Sequence, residues 1–154
     1  MALGLEILLA PEAGYPATPL AEESNLGLNI TVVFTSVHAT LAALKEAGNL
    51  ASQLGARITL IVPEVVPYGL PLEAPPVPVL FTENRFRVIA SQSPVETNVH
   101  IFLCRDRMSA LKSALKPGSI VVLGGRKRWW PTKDQLLARD LQSVGYEVIF
   151  KETE

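Results

Sequence analysis

The residues whose types could do chemistry are concentrated in one short run in the second half of the chain. This run, which we call the basic turn, consists of Arg126, Lys127, Arg128, Trp129 and Trp130. Three neighbouring cations can neutralise a phosphate or a carboxylate, and indole rings can stack on a base or cover a ring. The basic turn is therefore a candidate ligand site. The alternative is a solvated turn whose indoles close the edge of a sheet.

A second polar group, Thr35, Ser36 and His38, follows an apolar run near the middle of the first half. Ser36 and His38 have the residue types of a nucleophile and a base, but no carboxylate in the local sequence orients the imidazole. Ser and Thr are also common at helix N-termini, and capping is the favoured interpretation. Thr132 is a further predicted cap, because Gln135 follows it at capping-box spacing.

Metal and thiol chemistry are not predicted. The chain has one Cys and two His, and the positions of His38, His100 and Cys104 show no zinc-ligand spacing. A lone Cys also excludes an internal disulfide. Arg105 follows Cys104 and would favour a reactive thiolate, but a buried Cys that packs as a small hydrophobic residue is the favoured interpretation.

Composition predicts one cytoplasmic domain. A length of 154 residues with 48% hydrophobic content is enough for one well-filled core. The net charge of −1 argues against bulk attraction to nucleic acid, so no nucleic-acid partner is expected. The apolar start lacks a basic segment, and no stretch reaches the roughly 20 apolar residues that a membrane-spanning helix needs. Membrane insertion is therefore not expected.

The elements that must position these residues alternate from Asn29 onwards. Compact β-branched runs without strict alternation indicate strands buried on both faces. The predicted strands are residues 30–34, 57–62, 95–104, 119–123 and 146–150. Helical spacing lies between them, with stops at Gly55 and Gly145, while Pro63 ends the second strand and Gly124 and Gly125 turn the chain after the fourth.

This alternation predicts an α/β fold, a three-layer sandwich around a mostly parallel five-stranded sheet. Residues 1–28 are interpreted as an N-terminal arm and linker, and residues 29–154 as the domain. The proline-rich stretch after Pro63 predicts a long loop. The carboxyl ends of parallel strands form the usual ligand crevice, so both polar groups are expected to face it.

Residues 29–150 resemble the universal stress protein family. The resemblance rests on the run from Thr35 to Leu44, on Gly55 to Pro63, and on Ser119 to Arg126. These runs are similar to the family's first helix, its second strand, and its fourth strand with a glycine turn. The resemblance implies a Rossmann-like sheet in the order 3-2-1-4-5, a role in stress response, a homodimer and a nucleotide site.

The chain departs from the family where ATP would bind. Members that bind ATP carry Asp at the end of the first strand, where this chain has Thr35. They also carry two glycines three residues apart after the fourth strand and then a third followed by Ser or Thr. Here Gly124 and Gly125 are adjacent, and the next glycine is Gly145. Since the basic turn replaces a glycine-rich phosphate loop, ATP is not expected to bind, and no other cofactor is predicted.

Two functions follow from this pattern. The first is a non-enzymatic binding or regulatory domain that acts through self-association or a protein partner. The alternative is a protein that binds a nucleotide or another small anion through the basic turn. An enzyme is the weakest interpretation, because the sequence offers no base, nucleophile and oxyanion arrangement.

Overall fold

A computed structural model describes residues 5–9, 28–69, 79–93, 95–116 and 118–153, with residues 5–9 and 79–83 described by their backbone alone. These residues form six strands and four helices. The strands are β1 (Leu5–Leu9), β2 (Asn29–Val33), β3 (Arg57–Val65), β4 (Thr97–Cys104), β5 (Ile120–Arg126) and β6 (Glu147–Thr153). The helices are α1 (Val37–Leu54), α2 (Val79–Ser91), α3 (Arg107–Ala114) and α4 (Lys133–Val144).

The described strands form one parallel sheet in the order β1-β4-β3-β2-β5-β6. Counted from Asn29, the strands follow the predicted order 3-2-1-4-5, so the predicted α/β fold is confirmed. The sheet also has a sixth strand, because β1 lies beside β4 with Leu5 opposite Val99 and Leu9 opposite Leu103. The N-terminal arm thus adds an outer strand. The predicted linker over residues 11–27 lies outside the described residues.

Helices cover both faces of the sheet, which gives the three predicted layers. Successive residues of a buried strand alternate between the two faces, so Leu60 belongs to the core beneath α1 and α2, and Ile61 to the core beneath α3 and α4. The first core includes Ala43 of α1 and Phe86 of α2. The second includes Leu111 of α3. Both faces of the strands are therefore apolar, as the compact runs predicted.

The helix ends follow the predicted capping signals. Ser36 caps the start of α1, and the chain leaves that helix at Gly55 with a φ of 65°. α4 starts at a capping box in which Thr132 and Gln135 exchange side-chain-to-backbone hydrogen bonds, and it ends at Gly145 with a φ of 111°. A left-handed conformation at these C-terminal positions suits glycine.

Pro63 does not end the second core strand as predicted, because β3 continues to Val65. The reason lies in its neighbours. β2 pairs with β3 only as far as Ile61, whose carbonyl oxygen accepts the Phe34 N–H at 2.9 Å. Residue 63 has the same orientation as residue 61, so its nitrogen faces the side where β2 has already ended. The missing N–H therefore removes no hydrogen bond from the sheet.

Gly124 and Gly125 do not turn the chain as predicted, because they lie inside β5 opposite Lys151 and Glu152. Because these two residues have no side chain, neighbouring elements can pack closely against β5. A Cβ atom at Gly124 would collide with the carbonyl group of Ala39 in the first turn of α1. A Cβ atom at Gly125 would lie 2.7 Å from the Phe150 ring and 3.1 Å from the Asp134 Cβ atom. The two glycines therefore allow two helices to approach β5 closely.

Gly124→Ala is expected to destabilise the fold more than Gly125→Ala. The obstacle at Gly124 is backbone, which cannot move aside without shifting α1, whereas the nearest atom at Gly125 is the end of an aromatic side chain. Overpacking of this kind costs about 1–3 kcal/mol, and we expect the Gly124 variant at or above the upper end of that range. Urea denaturation of both variants measures it. Equal loss in the two variants would contradict this account of the glycines.

Candidate functional site

The carboxyl edge of the sheet has a notch at its centre. β2 pairs with its two neighbours only as far as Ile61 and Leu123, whereas β3 continues to Val65 and β5 to Arg126. β2 and β5 lie side by side, and the strand that follows each of them lies on its outer side. β3 follows β2 on one side of the sheet and β6 follows β5 on the other, so the chain winds in opposite directions from this pair. This is the switch point at which open α/β sheets bind ligands.

A cleft of about 560 Å³ lies beside this point, and we call it the switch-point cleft. Its walls come from the start of α1, from the basic turn, from the start of α4 and from the end of β6. The lining residues are Ser36, His38, Arg126, Arg128, Trp130, Pro131, Thr132, Asp134 and Thr153. Six of the residues predicted from the sequence therefore lie together, and Pro131, Asp134 and Thr153 are additions that the sequence did not single out.

The basic turn divides between two surfaces. Arg126, Arg128 and Trp130 line the cleft, whereas Lys127 and Trp129 do not. Arg126 is the last residue of β5, and the chain bends at Trp129 and Trp130 before α4 begins. The Lys127 ammonium lies 4.0 Å from a Glu152 carboxylate oxygen instead. The five residues of the basic turn therefore do not act as one cluster.

Neither indole blocks the cleft. The Trp129 side chain is fully exposed, at 99% of its accessible surface, and Trp130 is 66% exposed. Trp130 lines one wall without filling the space between the helix starts. The two indoles therefore do not cover the edge of the sheet, which was the alternative interpretation of the basic turn.

The cleft favours negative charge. The first N–H groups of a helix have no partner within the helix, and a helix N-terminus carries a partial positive charge. The starts of α1 and α4 both line the cleft, together with Arg126 and Arg128. Asp134 opposes them, but its carboxylate lies 3.3 Å from the Arg107 guanidinium. Two guanidinium groups and two helix starts thus face one partly neutralised carboxylate.

Three predicted site residues lie beneath the cleft and do not line it. The Thr35 hydroxyl donates a hydrogen bond of 2.7 Å to the Gly124 carbonyl oxygen, and the Thr35 N–H donates to the Thr40 hydroxyl at 3.1 Å. Gly124 and Gly125 belong to β5. These residues therefore join β2, α1 and β5 and have no free polar group directed at a ligand.

Ser36 acts as the predicted cap. Its hydroxyl oxygen accepts the Ala39 N–H at 3.3 Å, while His38 occupies the first turn of α1 and lines the cleft. Cys104 is buried at the end of β4, where its thiol donates to the Glu64 carbonyl oxygen at 3.6 Å. Cys104 therefore packs as the favoured interpretation expected.

Among the described residues, no group of three or more His, Cys, Asp or Glu side chains could hold a metal ion. In the same part of the chain, no helix is both long and apolar enough to cross a membrane. Compared with known proteins, the chain matches no protein-family model and shows no significant similarity to a curated protein.

Glu64 is an ionisable residue that no sequence pattern indicated. It lies near the carboxyl end of β3, and its Oε2 atom is buried without a hydrogen-bond partner among the described residues. Burial raises the pKa of the Glu64 carboxyl above its ordinary value. The folded protein therefore holds this proton more tightly than the unfolded chain does. The ionised carboxylate lowers stability at neutral pH, and that loss disappears as the pH falls through the raised pKa.

Glu64→Gln is expected to increase the free energy of unfolding at pH 7, because a neutral amide costs less to bury than an unpaired carboxylate. The gain should shrink as the pH falls and the native carboxyl becomes protonated. Urea denaturation at pH 7 and pH 5 measures both effects. Glu147→Gln, at an exposed position of β6, is the control and should change little at either pH. A Glu64 variant that is less stable than the parent at pH 7 would contradict this assignment.

Proposed function

We propose that the chain is a non-enzymatic domain that binds a small anionic ligand in the switch-point cleft. The observation that carries the proposal is the placement of Arg126 and Arg128 in the same cleft as the first residues of two helices. Guanidinium groups and helix N-termini each favour phosphate or carboxylate groups. A volume of about 560 Å³ suits a small molecule.

We propose binding and not catalysis because the polar residues of the cleft are arranged to bind a ligand. The Ser36 hydroxyl oxygen is engaged in capping α1. Within the described part of the chain, no carboxylate is hydrogen-bonded to His38, so nothing orients its imidazole as a base. The remaining cationic residues supply charge and hydrogen-bond donors, which recognise an anion without transforming it.

The proposal includes a universal-stress-protein-like ancestry in which the standard ATP site has been lost. Two observations support it. Gly124 and Gly125 are committed to packing inside β5, so they form no phosphate loop. Thr35 stands where ATP-binding members of that family carry Asp, and its hydroxyl is engaged by the Gly124 carbonyl oxygen. We therefore expect Mg-ATP to bind weakly or not at all, and binding in the micromolar range would count against this part of the proposal.

The cleft is tested with inorganic pyrophosphate and citrate as probe anions. We expect Arg126→Ala combined with Arg128→Ala to weaken binding at least tenfold, because each charge-assisted hydrogen bond contributes about 1.5–3 kcal/mol. The matched control is Lys127→Ala, which removes a neighbouring cation that does not line the cleft. Isothermal titration calorimetry at low and high salt measures affinity and its ionic-strength dependence.

Equal affinity of the double variant and the parent would show that the anion binds elsewhere. Failure of both probes to bind the parent at millimolar concentration would remove the support for an anion site. A loss of affinity in Lys127→Ala as large as that in the double variant would mean that the whole basic turn binds, against the division described above.

A second candidate function is self-association through β6. Among the described residues this strand has a neighbour, β5, on one side only. The Thr153 carbonyl oxygen accepts a hydrogen bond from Lys127 on the β5 side, so the alternation of the strand directs the backbone of Glu152 to the unpaired side. Unpaired strand edges invite pairing, and two copies related by a twofold axis would pair antiparallel.

Glu152→Pro is expected to shift a dimer to monomer, because it removes an outward N–H and costs no hydrogen bond to β5. Glu152→Ala is the control, since it removes the same side chain but keeps the N–H. Multi-angle light scattering over a concentration series measures the mass. A monomeric parent at high concentration, or a proline variant that stays dimeric, would count against pairing through β6.

A further inference from the structure

The exposed surface of residues 126–130, which we call the outer face of the basic turn, is only partly shared with the cleft. Trp129 does not line the cleft and is 99% exposed, and Trp130 is 66% exposed although it borders the same space. Indole side chains are large and mostly apolar, and they bury about 150–250 Å² when they are enclosed. Two adjacent exposed indoles therefore leave a substantial apolar area that a partner could cover.

The charge around these indoles is positive and local. Residues 126–133 contain four cationic residues and no acidic one, in a chain whose net charge is −1. The four cations are Arg126, Lys127, Arg128 and Lys133, and all four are exposed. Two carboxylates form ion pairs at this surface: Glu152 lies 4.0 Å from Lys127 in an exposed pair, and Asp134 lies 3.3 Å from Arg107 in a partly buried pair. The exposed pair is weak, so a local excess of cations remains.

We propose that this outer face docks on an anionic lipid bilayer, with Trp129 and Trp130 at the level of the headgroups and the cations on the lipid phosphates. Tryptophan is the residue that favours the boundary between water and hydrocarbon, because its ring is apolar and its N–H is polar. Lys and Arg beside it are attracted by the negative surface potential of such a bilayer. The attachment is peripheral and leaves the fold unchanged. Lys127 and Trp129 belong to this attachment alone, whereas Arg126, Arg128 and Trp130 also line the cleft.

Geometry favours a flat partner over a single-stranded nucleic acid. A single strand bound by stacking lies in a groove, where successive bases meet aromatic rings and the phosphates follow a line of cations. Trp129 lines no part of the cleft beside it and projects into solvent. A protruding indole next to cations fits a planar surface of lipid headgroups better than it fits a single strand of nucleic acid.

The chain provides its own reporter for this interaction. Both of its tryptophans lie in the basic turn, so the intrinsic tryptophan fluorescence of the whole protein reports on this segment, and Trp130 also reports on the cleft that it lines. With vesicles of 70% phosphatidylcholine and 30% phosphatidylglycerol, we expect the emission maximum to move to shorter wavelength and the protein to sediment with the vesicles. Brominated lipids should quench the emission. With pure phosphatidylcholine vesicles, and at high salt, both signals should be much weaker.

Two variants test the contributions separately. Lys127→Ala combined with Lys133→Ala should weaken binding to the anionic vesicles roughly twenty-five-fold, at about fivefold for each cation, and should leave the pyrophosphate affinity of the cleft unchanged. Lys45→Ala combined with Lys112→Ala removes two exposed lysines elsewhere and is the matched control. Trp129→Ala should weaken binding at least tenfold, with Val88→Ala, an exposed apolar side chain on α2, as its control. Circular dichroism checks that each variant is folded.

Several outcomes would overturn the proposal. These are equal binding to neutral and anionic vesicles, unchanged emission in the presence of anionic vesicles, and equal loss of binding in the test and control variants. Binding of a single-stranded DNA oligonucleotide, with a shift of tryptophan emission that vesicles do not produce, would assign the surface to nucleic acid instead.

Discussion

The first turn of α1 lies against β5 at a distance that the backbone of Gly124 allows and that any side chain would prevent. From this contact the Thr35 hydroxyl reaches the Gly124 carbonyl oxygen, which fixes the end of β2 to β5. Gly125 has the same effect on the other face, where Asp134 at the start of α4 approaches the strand. The two glycines therefore set the positions of both helix starts, and the switch-point cleft is the space left between them. Their importance is steric, although their position after a buried run predicted a turn of the chain.

The basic turn connects β5 to α4. β5 ends at Arg126, the chain bends at Trp129 and Trp130, and the Thr132 cap begins α4. The Thr132–Gln135 capping box stabilises the start of α4, so the side chains of the turn are not needed to hold it. One short segment can therefore present Arg126, Arg128 and Trp130 to a cleft and Lys127 and Trp129 to another surface. Each helix start adds only about 0.3–1 kcal/mol toward an anion, so the guanidinium groups must supply much of any affinity.

Sequence patterns predicted the buried parallel strands and the caps at Ser36 and Thr132, because buried strands and capped helices leave local signals, while the order of the strands was predicted from the family resemblance. They failed where a tertiary neighbour decides the outcome. Pro63 is tolerated inside β3 only because β2 has already ended beside it, and Gly124 is explained only by Ala39, which is distant in sequence. The residues of the candidate site were predicted, but the division of the basic turn between two surfaces was not. The separation of Lys127 from Arg126 depends on the direction of β5, which the sequence does not show. Glu64 was missed because an isolated Glu in a strand carries no signal of the burial around it.

The central place of β2 in the sheet also bears on how the chain folds. β2, α1 and β3 are contiguous in sequence, as are β5, α4 and β6, so each unit can form from local contacts. The joint between them is of much longer range, since Thr35 and Gly124, which are hydrogen-bonded there, are 89 residues apart. Closing a loop of that length is slow compared with local pairing. The switch-point cleft takes its walls from both units, so it does not exist in either half alone. A ligand bound there can recognise only the chain in which the two halves have joined, and its binding energy is added entirely to that final state.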